Sequence, residues 1–461
     1  MSQQPLSAGI ENQPGLSGFA ALAGLETYTD KGMLLVQTNP ENLDMVDLYE
    51  RELGSLLMSS LRTLVKGLTN VKVAHVNATA FGGGVAELLH RQIPLMNQLG
   101  EPVNFRTDWY ILNVDNPAFY DMTKKCHNTL QGGSGQLLDE EKKHYYATLL
   151  SNFGNGQLNQ YDVVIIHDPQ PAGLIELYPD RANKWIWRCH IDTTNPNPEV
   201  WNFFSSFVKR YDMAVWTRDS FVLDRETFQD IRIIAPSIDP ISPKNANMFP
   251  EEIEGILVSF GIDPRRPIML QVSRFDPWKQ PLEVIQIYKD LKAEFPNLQL
   301  VLAGSMATDD PEGLIYWERS LRKAGEDQDI YILNNYHGIG NREINAFQRA
   351  AHAVLQYSSK EGFGLTVSEG MWKYQPVIGG RVGGIQDQIV DGESGFLVST
   401  LDEVKNAVRQ LLNNPEKRQV MGESAHQRVA EQFLITREVA DYLKVIRDLK
   451  TKAAAYSYPQ Y

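Results

Sequence analysis

Two pairs of oppositely suited side chains stand out among the residues that could do chemistry. Arg274 and Lys279 lie five positions apart in Ser273-Arg274-Phe275-Asp276-Pro277-Trp278-Lys279, directly after the apolar run Ile268–Val272. A guanidinium and an ammonium at the end of a buried strand can grip a diphosphate and offset the charge that grows as a sugar–phosphate bond breaks. Glu361 and Glu369 stand eight positions apart in Glu361-Gly362-Phe363-Gly364-Leu365-Thr366-Val367-Ser368-Glu369. Ionised carboxylates only accept hydrogen bonds, which suits sugar and ribose hydroxyls, and Gly362 and Gly364 free backbone N–H groups for a phosphate or hydroxyl. A third feature, Phe81-Gly82-Gly83-Gly84, follows the run Val71–Asn77 and opens a helix, where bare N–H groups and the helix dipole favour an anion. It is not the dinucleotide fingerprint GxGxxG, because Glu87 stands where the last glycine belongs. Two histidines close apolar runs: His167, followed by Asp168, ends Val163–His167, and His190, followed by Ile191-Asp192, ends Trp185–His190. Each feature alone has a plainer reading, as solvated cations, a tight turn or a structural histidine. The sequence holds no HExxH, no clustered Cys/His ligands, no GxSxG elbow and no Walker-type loop, so zinc hydrolases, serine hydrolases and P-loop enzymes are set aside.

The elements that must carry these residues alternate between short Val- and Ile-rich runs and helix-length segments. A first series of strands is predicted at Val71–Asn77, Val103–Leu112, Val163–His167, Trp185–His190, Met213–Trp216 and Ile231–Ala235. A second follows at Ile268–Val272, Leu298–Ala303, Ile330–Leu333, Ala353–Gln356, Pro376–Gly379 and Gly395–Val398, with helices such as Val85–Leu99 and Pro281–Glu294 between strands. This is the pattern of βαβ units and of parallel sheets buried on both faces. Two series in one chain imply two doubly wound domains of an α/β fold, with ligands at the carboxyl ends of the strands. The join falls near Pro236–Pro250, whose prolines can continue neither a helix nor a central strand. The expected division is an extension over 1–70 with a helix near Leu43–Leu68, a first domain over 71–240, a second over 241–435, and a helix over 436–461 that can cross back to the first. A net charge of −13 disfavours nucleic acid and anionic membranes as partners. The polar N-terminus, the lack of a long apolar stretch and only two cysteines, Cys126 and Cys189, make a reducing cytoplasm the expected location.

Taken in order, several stretches resemble glycosyltransferase family 4, and within it the trehalose synthase branch. They are HVNATAFGGGVAELLH from His75, HDPQPAGL from His167, WRCHIDTTNPN from Trp187, PSIDPISPKN from Pro236 and VSRFDPWKQP from Val272. LAGSMATDDPEG from Leu302, NAFQRAAHAVLQYSSKEGFGLTVSEGMWK from Asn345 and GGIQDQIVDGESGFLV from Gly383 continue the match, which covers roughly 71–435. The resemblance implies a GT-B fold of two Rossmann-like domains facing across a cleft, with the acceptor held mainly by the first and a nucleotide sugar by the second. It implies that Arg274 and Lys279 bind the donor diphosphate, that Glu361 holds hydroxyls of the transferred glucose, and that Glu369 holds the ribose. Gly83 and Gly84 would approach the donor from the other domain, and Gly362, Phe363, Gly364 and Leu365 would line it. His190 would meet the donor sugar near the reacting carbon, so that His190, Arg274, Lys279 and Glu361 form the catalytic set. Asp192, His167, Asp168 and Gln170 would line the acceptor side. The chain departs from the branch at Gln386-Asp387-Gln388 and at Thr193-Thr194.

The expected reaction is UDP- or ADP-glucose plus glucose giving α,α-trehalose, with retention of configuration. No resident cofactor or metal is expected, Mg2+ being at most an activator without a dedicated protein site, and a homodimer is compatible with the sequence. A trehalose phosphorylase and transfer to another small sugar or polyol are the alternatives within this chemistry, and a non-catalytic nucleotide-sugar sensor is the alternative outside it.

Overall fold

In the first series of runs the apolar residues are continuous, as strands covered on both faces require. The computed structural model describes residues 27–30, 33–39, 42–80, 84–114, 116–304 and 311–456. It places those runs in one sheet, made of β1 (Thr27–Asp30), β2 (Met33–Val36), β3 (Lys72–Asn77), β4 (Arg106–Leu112), β5 (Val163–His167), β6 (Lys184–Cys189), β7 (Met213–Trp216) and β8 (Ile231–Ile233). Its order is β1-β2-β4-β3-β5-β6-β7-β8. The strands from β4 to β8 run parallel, and β1 and β2 add antiparallel at one edge. A second, all-parallel sheet holds β9 (Ile268–Val272), β10 (Gln299–Gly304), β11 (Ile330–Asn334), β12 (Ala353–Gln356), β13 (Val377–Gly380) and β14 (Gly395–Val398) in the order β11-β10-β9-β12-β13-β14. In each sheet the order reverses beside its first parallel strand, between β3 and β5 and between β9 and β12. A crevice opens outside the carboxyl ends of strands at such switch points.

The described residues before 71 are not an appendage to this architecture. β2 pairs with β4, and the single helix expected near Leu43–Leu68 is two helices, Met45–Leu53 and Ser55–Lys66. Gly54 separates them at φ 90°, a left-handed backbone that only glycine adopts readily. Both helices turn buried faces (Met45, Tyr49, Met58, Leu61, Val65) into the core beneath the first sheet. The expected strand from Val103 starts later, at Arg106, because Glu101–Val103 forms a 3-10 turn capped by Asn104 at φ 56°.

The proline-rich join lies beside the returning chain. Ile238 N–H donates to the Phe433 carbonyl at 2.8 Å, and Ile435 N–H donates to the Ile238 carbonyl at 3.0 Å. The helix Ile435–Tyr456 then lays Val439, Tyr442, Leu443 and Ile446 against Leu61, Val73 and Ile186 of the first domain. Each apolar side chain buried there contributes roughly 1.5–3 kcal/mol, so the last helix fastens the domains where the chain crosses twice. No described helix is long and apolar enough to cross a membrane.

Candidate active site between the two sheets

The carboxyl ends of β3, β5 and β6 face those of β9 and β12 across a cleft of about 770 Å³. The helix Gly84–Gly100 follows β3 and the helix Leu365–Trp372 follows β12, and both begin at the cleft. A Cβ built on Gly84 would stand 3.3 Å from Leu365 Cδ1, so two helix N-termini meet across the gap. Their first-turn N–H groups and dipoles make that point favourable for an anion. Gly364 caps the second helix at φ 82°, and a Cβ there would stand 3.1 Å from Glu361 Cγ.

The cations stand at the same end. Asp276 Oδ1 accepts from the N–H groups of Trp278 (2.9 Å) and Lys279 (3.1 Å), fixing the turn that presents Lys279. Lys279 Nζ donates to Glu361 Oε2, and both side chains are 12% exposed. Gln356 Nε2 donates to the same carboxylate oxygen at 3.2 Å. Arg274, over half exposed, lies 3.2 Å from Asp276. Deeper in, Lys244 bridges the domains: its ammonium lies 3.0 Å from Glu87, in the first turn of the helix Gly84–Gly100, and 3.3 Å from Glu369. Burial works against that ammonium's charge, but Glu369 and Glu87 outweigh it and hold the group above its ordinary range. Lys373 lies behind Glu369, donating to Asn245 Oδ1 (2.8 Å) and to the Glu369 carbonyl (3.0 Å). Burial pulls its ammonium down to about 7.

On the first-domain wall His190 and His167 lie ring to ring, with His190 Nε2 2.9 Å from His167 Nδ1. Burial holds both well below the ordinary imidazole range, so each is neutral at pH 7. Asp168 adopts φ 63° and accepts from the His190 backbone N–H at 2.8 Å. Burial raises its carboxyl to about 6, against that hydrogen bond and the Arg188 charge. At the mouth Arg218 of the first domain donates to the Gly383 carbonyl and lies 3.1 Å from Asp387 of the second.

The structure thus brings His167, Asp168, Gln170, His190, Gly84, Arg274, Lys279, Glu361, Gly362, Phe363, Gly364, Leu365 and Glu369 to one cleft. Gly83 lies outside the described residues. Asp192, expected on the acceptor side, is not among the residues lining the cleft. Its Oδ1 accepts from the Thr194 N–H (2.9 Å) and hydroxyl (2.5 Å), while the Thr193 hydroxyl donates to the Phe221 carbonyl. Lys244, Glu87 and His127 line the cleft and were not anticipated. Lys244 carried a signal in PSIDPISPKN, where a lysine sits in an otherwise rigid, proline-spaced join. His127 follows no strand, and burial, then Arg274, brings it down to about 4.

Residues 75–223 match the family described as Trehalose synthase, N-terminal domain, and residues 253–428 match Glycosyl transferases group 1. The chain is 45% identical to the trehalose synthase of Thermococcus litoralis, over 86% of this chain and 95% of that one. It is 40% identical to the trehalose synthase of Rubrobacter xylanophilus, over 90% and 99%. A trehalose phosphorylase from Pleurotus pulmonarius is 27% identical, over 78% of this chain and 54% of its own length. Among solved structures, the E. coli trehalose-6-phosphate enzyme bound with UDP-2-fluoro glucose aligns with a TM-score of 0.65 at 13% identity, covering 82% of this chain and 99% of that one. Anabaena Alr3699/HepE, in complex with UDP and glucose, aligns at 0.60 and 14%, covering 82% and 100%. At those identities the likeness establishes the fold, which is GT-B as expected.

Proposed function

The chain belongs to the trehalose synthase family of GT-B glycosyltransferases, and on that premise we propose that it makes α,α-trehalose from a nucleoside-diphosphate glucose and glucose, with retention of configuration. The observation that carries this reading is the meeting of two helix N-termini beside Lys279 and Arg274 in one interdomain cleft. A diphosphate is the ligand that such a point suits. The UDP-2-fluoro glucose in one solved structure of the same fold, and the UDP and glucose in the other, support the same donor class.

In the reaction the donor C1–O bond breaks and negative charge grows on the leaving diphosphate. Lys279, Arg274 and the N–H groups at Gly84 and Leu365 stabilise that charge, and losing one such donor commonly costs about 10²–10³-fold in rate. The glucose hydroxyl attacks C1 from the face the diphosphate leaves, forming the new C1–O bond, and its proton passes to the departing phosphate oxygen. Glu361 accepts from hydroxyls of the transferred glucose and Glu369 from the ribose. Lys279 is held by Glu361 in the free protein, so donor entry exchanges that ion pair for one ion pair to phosphate and hydrogen bonds to sugar. Asp168, Gln170 and His167 line the acceptor side, and closure of the domains excludes the water that would otherwise hydrolyse the donor. UDP-glucose and ADP-glucose, offered separately with glucose, test the reading: trehalose and the matching nucleoside diphosphate are expected, and hydrolysis alone or no turnover with either contradicts it. A phosphorolytic reading has one specific support, the likeness to the Pleurotus trehalose phosphorylase. Trehalose incubated with orthophosphate gives glucose 1-phosphate under that reading and nothing under ours.

A further inference from the structure

Behind His190 stand two histidines to which the transfer assigns no chemical step. His190 Nε2 is 2.9 Å from His167 Nδ1, and His167 Nε2 is 2.9 Å from His75 Nδ1. The three rings stack with centroids 5.2 Å apart at each step and interplanar angles of 16° and 22°. His75 lies within β3, His167 ends β5 and His190 follows β6, so three adjacent strands each give one ring to a single series. The series ends at His75 Nε2, which is fully buried and has no hydrogen-bond partner. Tyr442 of the last helix covers that end, its ring edge-on to His75 at 5.9 Å.

A neutral imidazole carries one N–H and one lone pair. Burial keeps all three rings neutral, lowering His75 to about 3 and the other two well below their ordinary range. The groups facing them are Arg188, a buried guanidinium on β6, Asp168, whose Oδ1 is taken by the His190 backbone N–H, and Tyr442. None of these bonds a ring nitrogen of the series. Each ring-to-ring bond uses one donor and one acceptor, so the tautomer of one ring fixes all three, and two registers exist. In the first, every Nδ1 carries the proton: His75 donates to His167, His167 donates to His190, and His190 Nδ1–H is left for the cleft. In the second, every Nε2 carries it: His190 offers a lone pair, and His75 Nε2–H is an orphan donor in the core. Orphaned buried N–H groups are rarer than orphaned acceptors, which selects the first register.

We propose that His167, with His75 satisfying it from behind, is a positioning residue that locks His190 in its Nδ1–H tautomer, so that it meets the donor hexose as a neutral hydrogen-bond donor. The assignment rests on the reading of His190 as facing the transferred sugar. A neutral ring is also the form that adds no positive charge beside a C1 that becomes cationic as its bond to phosphate breaks.

The test is an NMR spectrum of the full-length protein labelled with 15N-histidine, without ligand, in which two-bond correlations distinguish Nδ1–H from Nε2–H rings. His75, His167 and His190 are expected in the Nδ1–H pattern and unprotonated down to pH 5.5. Any of the three in the Nε2–H pattern, or charged near pH 6.5, overturns the proposal. In His75→Phe the buried end of the series moves to His167 Nε2, and by the same rule His190 is expected to keep the Nδ1–H pattern. In His167→Phe, His190 borders the cleft with no partner at Nε2, so a mixture of tautomers is expected, with kcat down about 10-fold, KM for the donor changed less than twofold, and a new acid limb in kcat. In His167→Asn, whose amide N–H can replace Nδ1–H, the His190 signal and kcat are expected to return toward wild type. An unchanged His190 tautomer in His167→Phe also overturns it. Should that variant not fold, the wild-type spectrum decides alone. The spectrum needs no donor, so an error in the proposed reaction leaves it unchanged and appears instead in the product analysis.

Discussion

The two walls of the cleft store polarity in opposite ways. On the first-domain wall, His75, His167 and His190 are stacked, neutral and joined only to one another. On the second-domain wall, Lys279 is paired with Glu361 and Lys244 with Glu369, so the charges are present but internally neutralised. The first wall is built before any ligand arrives. The second is a set of ion pairs, and under the proposed reaction a ligand carrying its own anion and hydroxyls exchanges their partners. A buried charge left unpaired is costly, so the pairs keep the empty site stable while the N–H groups stay directed at the gap.

The contrast is broken most severely at the second wall. Lys279→Ala and Glu361→Ala are each expected to lower kcat/KM by about 10²–10³-fold or more. Each single variant strands the other partner, so its thermal midpoint is expected to fall, while the double variant regains stability without regaining activity. Steady-state rates and melting curves on the three proteins check this, and a double variant no more stable than either single one counts against the exchange.

The first wall is probed by acid. The folded His75 titrates at about 3, below the ordinary 6.5, so the unfolded chain binds more protons between those values. Stability is then fully present above pH 6.5 and falls as pH drops, by about 1.4 kcal/mol per unit for one such group. Denaturant melts of wild type and His75→Phe between pH 7 and 5 should show the shallower fall in the variant.

Lys373 acts with the same sign in a more alkaline window. Its folded value of about 7 lies below the ordinary 10.5, so the penalty of burying its charge is complete below pH 7 and fades as pH rises toward 10. Relative to Lys373→Met, wild type should gain stability across that range, and parallel curves would remove the ammonium from the account.

The smallest effect is expected at the mouth. Arg218 and Asp387 are 19% and 40% exposed, and pairs of that kind contribute about 0.2–1 kcal/mol. Asp387→Ala should raise KM for the donor a few-fold, with kcat nearly unchanged and a weaker dependence on salt, as initial rates between 50 and 500 mM salt would show.

What could be read beforehand follows from where physics leaves a local signature. β5, β7, β9, β12 and β14 keep their expected limits because strands covered on both faces are unbroken apolar runs. β1 and β2 are four residues each at an antiparallel edge, too short for a period to appear, and their place depends on β4, more than seventy positions away. The break at Gly54 does have a local signature, a glycine inside a helical pattern. Arg274, Lys279, Glu361 and Glu369 announced themselves by following strands. Lys244 follows no strand; its only signal is its place in the proline-spaced join, because its partners Glu87 and Glu369 lie far apart in sequence. His75 sits inside a strand, where a histidine reads as core, and only the pairing of β3 with β5 shows that its ring continues a series.

The most direct measurement is a crystal structure of the protein with a non-transferable analogue of a nucleoside-diphosphate glucose. The account places the diphosphate between the N–H groups of Gly84 and Leu365, with Lys279 turned from Glu361 to phosphate and the hexose against His190. A ligand bound elsewhere, with the Lys279–Glu361 pair intact beside an empty gap, would contradict it.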